Sequence, residues 1–181
     1  MILSHKQQNQ RGFTIVELLI VIVVIGILAA LVLNSFAGVQ AKARDTERQT
    51  DVKAMSTQLE AFYSQAGNGS YPSNGTTGAA NYASNAILGG ANSVNMSNDT
   101  DITAKLKGID LNSMRAPNQA ANTVVLATST AAQTPTISQY IYQPMTANGA
   151  AICQAEGSCT RFIIWYNQEN GGVLQKASLN Q

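Results

Sequence analysis

The sequence predicts an α+β fold, in which a long N-terminal α-helix packs on a small, mostly antiparallel C-terminal β-sheet of about three or four strands. Three observations predict it. An apolar run near the N-terminus is continued by a one-sided apolar pattern, no proline occurs before Pro72, and the β-branched and aromatic segments lie in the last third of the chain. One face of the sheet is therefore expected to pack against the helix.

The totals of the 181-residue chain argue against several classes of function. Its formal net charge is +1 and only 12% of its residues are charged, which does not suit a dedicated nucleic-acid-binding protein. The single histidine, His5, lies at the N-terminus, so its removal would exclude Ser-His-Asp and Cys-His catalysis and His-based metal sites. We therefore expect no enzyme, and no catalytic, cofactor-binding or metal-binding residue.

The apolar run is long enough to cross a membrane. Residues 13–33 form a block that contains one ionised side chain, Glu17, and spans about 31 Å as a helix. Residues 1–12 carry Lys6 and Arg11 and no acidic residue, which favours a cytoplasmic N-terminus and a single-pass orientation. A carboxylate in lipid costs roughly 2.5–3.5 kcal/mol, so Glu17 needs an explanation.

Two ordinary interpretations of this block leave something unexplained. A secretory signal peptide has an apolar core of about 7–15 residues before a small-x-small cleavage site. Ser35-Phe36-Ala37 could serve as that site, but the apolar core is too long and contains a glutamate. A simple membrane anchor fits the length, yet gives Glu17 no role.

The segment R-G-F-T-I-V-E-L-L-I-V-I-V-V-I-G-I-L-A-A, residues 11–30, resembles the processing and assembly segment of type IV pilins and the related pseudopilins. The resemblance implies that a membrane-bound prepilin peptidase cleaves between Gly12 and Phe13 and N-methylates Phe13. Glu17 matches the glutamate required for polymerisation. The chemistry agrees, because a buried carboxylate seeks a cation and cleavage creates one at the amine of Phe13, where a neighbouring subunit's Glu17 can reach it.

The resemblance also implies an organisation and a function. Its segments would be a leader (1–12), a transmembrane and filament-core helix (13–33), an amphipathic continuation (34–66) and a globular domain (67–181). The chain would wait in the cytoplasmic membrane and then be polymerised by assembly machinery, with minor pilins, into an extracellular helical homo-oligomer serving motility, adhesion or DNA uptake. A type IVa-like major pilin is favoured. A pseudopilin of a type II secretion or competence system and a non-polymerising membrane-tethered adhesin stay open.

The helix is predicted to run from Phe13 to about Ala66, where Gly67-Asn68-Gly69 ends it. Asn34 stands where the family usually has proline, so loosening of the helix between Gly26 and Asn34 is left open. The apolar positions after residue 50 are Val52, Met55, Leu59, Phe62 and Tyr63. The charged residues Arg44, Asp45, Glu47, Arg48 and Asp51 form either a solvated helix face or salt bridges between subunits.

The remainder contains a predicted loop, a short sheet and two cysteines. Residues 70–101 are polar and are predicted as a surface loop with a short helix around 82–88. The predicted strands are residues 123–128, 137–142, 161–167 and 173–177, with a hairpin turn at 169–172. Cys153 and Cys159 are either reduced thiols or a disulfide, and export of the domain favours the disulfide.

Overall fold

The computed structural model describes residues 12–73, 96, 99–153 and 159–180. The chain divides into two compact units, Met1–Gln40 and Ala41–Gln181. The elements within the described residues are α1 (Ile15–Ser64), α2 (Asp99–Lys105), a 3₁₀ turn (Leu111–Met114), β1 (Val124–Leu126), β2 (Tyr140–Met145), β3 (Arg161–Gln168) and β4 (Gly172–Ala177). The predicted α+β class is confirmed.

Helix α1 is continuous from Ile15 to Ser64, so its backbone is helical at both Gly26 and Asn34. The predicted glycine stop is confirmed. The Gly67 amide donates to the Phe62 carbonyl at 2.6 Å, and the Gly69 amide donates to the Tyr63 carbonyl at 3.0 Å, which satisfies carbonyls that the helix end leaves open. Gly69 has φ 82°, a left-handed conformation that glycine adopts without steric cost.

The four strands lie in the order β1-β2-β3-β4. The β2–β3 and β3–β4 pairs are antiparallel, as predicted, and the predicted turn joins β3 to β4. The β1–β2 pair is parallel, with Val124 opposite Tyr140, so the sheet is mixed and the expectation of an antiparallel sheet is wrong for this pair. Residues 127–139 supply the roughly dozen residues that a parallel crossover requires.

Strand β2 begins and ends three residues later than predicted, at Tyr140 and Met145. It contains Pro144, a residue type that is rare inside strands because it has no backbone amide donor. Strand β1 pairs with residues 140–142. Pro144 therefore lies beyond the end of β1, where its missing amide costs no hydrogen bond to that strand, and its carbonyl accepts instead from the Cys153 amide.

The hydrophobic core lies between the second part of α1 and one face of the sheet. Four of the five predicted helix positions are buried, and Tyr63 is half-buried and packs against them. They meet the buried face of β2 and β3, which consists of Tyr140, Tyr142, Phe162, Ile164 and Tyr166. This one-sided burial is what the helical spacing predicted.

The segment after residue 98 differs from the predicted loop. Residues 99–105 form α2, and its Ile102 and the following Leu106 are buried in the core. Ile102 and Leu106 have the i, i+4 spacing of a helix face, but a single pair is too short a pattern to predict a helix. The short helix predicted around residues 82–88 lies outside the described residues.

Candidate functional site

The first turn of α1 is closed by a capping box that involves Glu17. The Glu17 carboxylate accepts hydrogen bonds from the Thr14 amide at 3.2 Å and from the Thr14 hydroxyl at 3.1 Å. In return, the Glu17 amide donates to the Thr14 hydroxyl oxygen at 3.3 Å. This reciprocal pair satisfies amides that a helix start leaves open. Thr14 was not predicted as a cap, although the T-x-x-E spacing is the known signal for a capping box.

The capping box gives the carboxylate local donors but no cation. Gly12 and Phe13 precede α1 outside any regular element, and Phe13 is 87% exposed. The peptide bond between them therefore lies in exposed backbone outside the helix. The leader residues His5, Lys6 and Arg11 lie outside the described residues.

The helix that follows Glu17 presents apolar side chains in every direction. Leu18, Val23 and Leu28 are 62%, 51% and 57% exposed, although they point to different sides of α1. The apolar window of α1 has a mean hydropathy of 3.2, and its length and composition suffice to cross a membrane. Apolar surface of this extent is stable only against lipid or against other apolar helices.

Four charged side chains, Arg44, Asp45, Arg48 and Glu169, form what we call the charge cluster. Arg44 donates from Nε and Nη2 to the two carboxylate oxygens of Glu169, each at 2.6 Å. Arg48 donates to Asp45 Oδ1 at 2.8 Å and to Glu169 Oε1 at 3.1 Å. The Asp45 carboxylate also accepts from the Glu169 amide at 2.8 Å and the Asn170 amide at 3.3 Å. The cluster thus joins α1 to the β3–β4 turn.

The charge cluster corrects the interpretation of Asp45 and Arg48 as part of a solvated helix face. The Arg48 side chain is only 3% exposed and that of Asp45 only 10%, so neither belongs to a solvated face, and their partners lie within the same chain. Hydrogen bonds from Arg44 hold the pKa of Glu169 down at about 2. Glu169 was missed because the sequence marks residues 169–172 only as a turn.

Two further α1 carboxylates contact the sheet and the tail. Asp51 accepts a hydrogen bond from the Tyr140 hydroxyl at 2.7 Å, and burial raises the pKa of Asp51 to about 6. Glu60 accepts from the Tyr71 hydroxyl at 2.6 Å and from the Leu179 amide at 2.8 Å. Burial and the neighbouring Glu60 raise the pKa of Tyr71 above its ordinary value. Both tyrosines therefore stay neutral donors at physiological pH.

Cys153 and Cys159 are joined by a disulfide, with their Cα atoms 5.4 Å apart. The Tyr71 amide donates to the Cys159 carbonyl at 2.7 Å, and the Cys153 amide donates to the Pro144 carbonyl at 3.0 Å. The two half-cystines thus attach the chain between β2 and β3 to both the sheet and the segment after α1. Within the described part of the chain, no group of three or more His, Cys, Asp or Glu side chains is arranged to hold a metal ion.

The comparisons with known proteins concern mainly the N-terminal part of the chain. Residues 7–33 match the family described as the prokaryotic N-terminal methylation motif. The type IV major pilin protein PilA of Myxococcus xanthus is 40% identical over 62 residues, 34% of this chain and 28% of that protein. The type IV major pilin protein PilE1 of Neisseria gonorrhoeae is 32% identical over 103 residues, 57% of this chain and 47% of that protein.

A relative from a secretion system matches the same region. The type II secretion system core protein G of Dickeya chrysanthemi is 38% identical over 56 residues, 31% of this chain and 37% of that protein. The chain thus spans between about a quarter and a half of the length of these relatives. No solved structure matches the chain.

Proposed function

We propose that this chain is a member of the type IV pilin and pseudopilin family, as its similarities suggest, and a structural subunit that polymerises into a type IV pilus. The observation that carries the proposal is the apolar segment of α1 (residues 13–33), which is exposed on all sides and begins with one carboxylate. A bilayer can cover such a surface before assembly, and neighbouring helices of identical subunits can cover it afterwards. Assembly therefore exchanges one apolar environment for another.

Processing is proposed to cut the chain between Gly12 and Phe13. The prepilin peptidase would also N-methylate Phe13, as the matching methylation motif suggests. Both residues precede the first turn of α1, so hydrolysis there breaks no helical hydrogen bond. The new amino group lies one residue before Thr14, the cap of the helix, and supplies the cation that the first turn lacks.

Glu17 is proposed as the assembly residue. In the isolated chain its carboxylate is held by the uncharged donors of Thr14. A charged donor forms a stronger hydrogen bond than a neutral one, so the methylated amine of Phe13 in a neighbouring subunit can replace the Thr14 hydroxyl as its partner. Because only one axial offset brings these two groups together, the pair would also set the register between subunits.

The proposed cellular location of the subunit rests on the apolar segment of the same helix. The subunit is proposed to sit in the cytoplasmic membrane as a single-pass protein with its N-terminus inside, until the pilus assembly machinery extracts it into the filament together with minor pilins. The domain after residue 40 would then be outside the cytoplasm, where disulfides form and persist. The bond between Cys153 and Cys159 is proposed to form there, so neither thiol should be alkylated in the denatured, non-reduced protein.

A pseudopilin of a type II secretion system is the alternative, because core protein G relatives match the same helix. We favour the pilus subunit because the alignment with the major pilin of Neisseria gonorrhoeae, at 103 residues, must extend past the end of α1. Deleting the chain in its host separates the two functions. Loss of surface filaments supports the pilus, whereas loss of protein secretion with filaments intact supports the pseudopilin.

The decisive experiment on assembly is the substitution Glu17→Ala, with filaments scored by electron microscopy. We expect no filaments, while the chain still inserts into the membrane and is still processed, because the substitution makes the apolar segment more apolar and leaves Gly12 and Phe13 unchanged. Mass spectrometry of the mature N-terminus should find N-methylated Phe13 in both the variant and the unmodified protein.

The matched control is Glu47→Ala, which removes an exposed carboxylate from the same helix outside the apolar segment and should leave filaments intact. Filaments that persist in Glu17→Ala would refute the assembly role. A mature chain that begins after Ala37 would refute the processing step and indicate a signal peptide instead.

A further inference from the structure

Strand β4 has an unusually exposed position for part of a sheet. Its residues from Gly172 to Lys176 are exposed and Ala177 is half-buried. Its two large apolar side chains, Val173 and Leu174, keep 40% and 36% of their surface exposed. Hydrophobic stabilisation scales with the area removed from water, so burial contributes little to holding β4. Among the described residues, β4 pairs only with β3, with Asn167 opposite Val173.

The chain just before β4 is fastened to α1 by Asp45. Both oxygens of this carboxylate accept backbone amides of the turn, from Glu169 at 2.8 Å and from Asn170 at 3.3 Å. The ion pairs of Glu169 with Arg44 and Arg48 hold the same turn. Hydrogen bonds to charged groups are roughly twice as strong as those between neutral groups, so this attachment is firm.

The chain just after β4 is fastened to α1 by Glu60. One oxygen of this carboxylate accepts the Leu179 amide at 2.8 Å, and the other accepts the Tyr71 hydroxyl at 2.6 Å. The Asn180 side chain donates to the same tyrosine hydroxyl oxygen at 3.0 Å. The tail is thus held to α1 by a carboxylate although Leu179 itself is 77% exposed, while the buried Ser178 exchanges hydrogen bonds with Phe162 of β3.

The spacing of the two carboxylates matches the strand between them. From residue 45 to residue 60, α1 rises about 22 Å. The six residues of β4 span about 20 Å as an extended strand. The helix therefore places one acceptor shortly before the strand, at residues 169 and 170, and one shortly after it, at Leu179.

We propose that β4 and its tail form a separately opening strand, which Asp45 and Glu60 fasten to α1 at its two ends while β1, β2 and β3 remain closed. Proteins open in cooperative units whose stability follows burial and contact, and poorly buried edges open first. Opening of β4 would uncover the edge of β3, including the backbone of Ile164, which pairs with Lys176 in the closed state. This local opening of β4 does not depend on whether the subunit serves a pilus or a secretion system.

The test is amide hydrogen exchange, followed by mass spectrometry of peptides, on the full chain in detergent micelles. The variants are Asp45→Ala, Glu60→Ala and the double variant, with Glu47→Ala as the matched control. Each removed carboxylate eliminates a charged acceptor, so exchange in β4 should accelerate at least about tenfold. Asp45→Ala should act most on residues 169–174 and Glu60→Ala most on residues 175–180.

Peptides that cover β2 report on the rest of the sheet. Unchanged exchange there, together with faster exchange in β4, is the expected result, and the double variant should accelerate the whole strand. The proposal is overturned if β4 exchanges at the same rate in all variants, or if β2 and β4 accelerate equally. Glu60→Ala keeps the proposal testable if the loss of Asp45, which leaves Arg48 without one partner, prevents folding.

Discussion

The two parts of helix α1 have the same backbone and opposite surroundings. In the apolar segment, large side chains on every side of the helix are about half exposed or more, as Leu19 at 55% and Ile25 at 59% show. In the domain segment (residues 41–64), Leu59 is completely buried and the exposed positions between the buried ones are polar or small. The apolar side chains of the two parts are therefore buried in different ways. Those of the first part require an apolar environment from outside the chain, whereas those of the second part pack against the chain's own sheet.

The charges of the two parts differ in the same way. The apolar segment has one carboxylate, Glu17, whose described partners are the neutral donors of Thr14 in the same turn. The domain segment places Arg48 in a site where Asp45 and Glu169 both contact it. The charge cluster is internally balanced, whereas Glu17 has no cation partner among the described residues. This difference supports the proposal that the first part serves assembly and the second supports the domain.

The largest effect that separates the two parts is expected from truncating a leucine in each. Leu59→Ala should lower the free energy of unfolding of the domain by about 4 kcal/mol, because it removes a fully buried side chain and leaves a cavity. Leu28→Ala, at 57% exposure, should leave that free energy unchanged. Denaturant unfolding of the full chain in detergent, followed by the fluorescence of the single tryptophan, Trp165 in β3, measures both. Equal losses would contradict the division of α1 into two parts.

A smaller but still clear effect is expected at the charge cluster. Arg48→Met should destabilise the domain by about 3 kcal/mol, because Asp45 and Glu169 then lose a buried cation between them. The same unfolding measurement detects it. Lys42→Met, an exposed cation of the same helix, is the matched control and should change the stability little. If both variants lose the same amount, the cluster has no special role.

The sequence predicted those features that depend on local pattern. The apolar segment, the buried positions from Val52 to Phe62 and the glycine stop after Ser64 follow from periodicity and turn chemistry over a few residues. The hairpin between β3 and β4 follows from its Asn-Gly-Gly turn in the same way. These signals are local, so no knowledge of the tertiary fold was required.

The features that were missed depend on distant parts of the chain. Glu169 is far from Arg44 in sequence, and nothing in the turn reveals which helix side chains it meets. The parallel pairing of β1 with β2 depends on the path of residues 127–139, which strand propensity does not describe. The bounds of β2 were predicted three residues too early, and its Pro144 is tolerated because β1 has ended before it. In the first turn of α1 the signal was local, and Thr14 could have been predicted from T-x-x-E.

The smallest predicted effect concerns how the domain segment responds to pH. Burial raises the pKa of Asp51 to about 6 from its ordinary value of 3.8. Between these two values the folded chain holds a proton that the unfolded chain has released, so the domain loses stability as the pH rises through this range. A shift of this size in a fully buried group corresponds to about 3 kcal/mol, and solvent around the half-buried carboxylate reduces it to about 1 kcal/mol.

The substitution Asp51→Asn should remove this loss of stability with rising pH. The asparagine keeps a side-chain oxygen that can accept a hydrogen bond from the Tyr140 hydroxyl. We expect the variant to gain about 1 kcal/mol relative to the unmodified chain between pH 4.5 and pH 7 in the Trp165 unfolding measurement. This range excludes Glu169, whose lowered pKa contributes stability that is present above 4.5 and is lost only as the pH falls through about 2. The neighbouring groups Glu47, Arg48 and Asp110 remain in both proteins, so the difference isolates Asp51.

The control is Glu47→Gln, which neutralises an exposed carboxylate on the same helix. It should retain most of the original dependence of stability on pH. An unchanged slope in Asp51→Asn would show that the burial of Asp51 does not confer pH sensitivity on the domain.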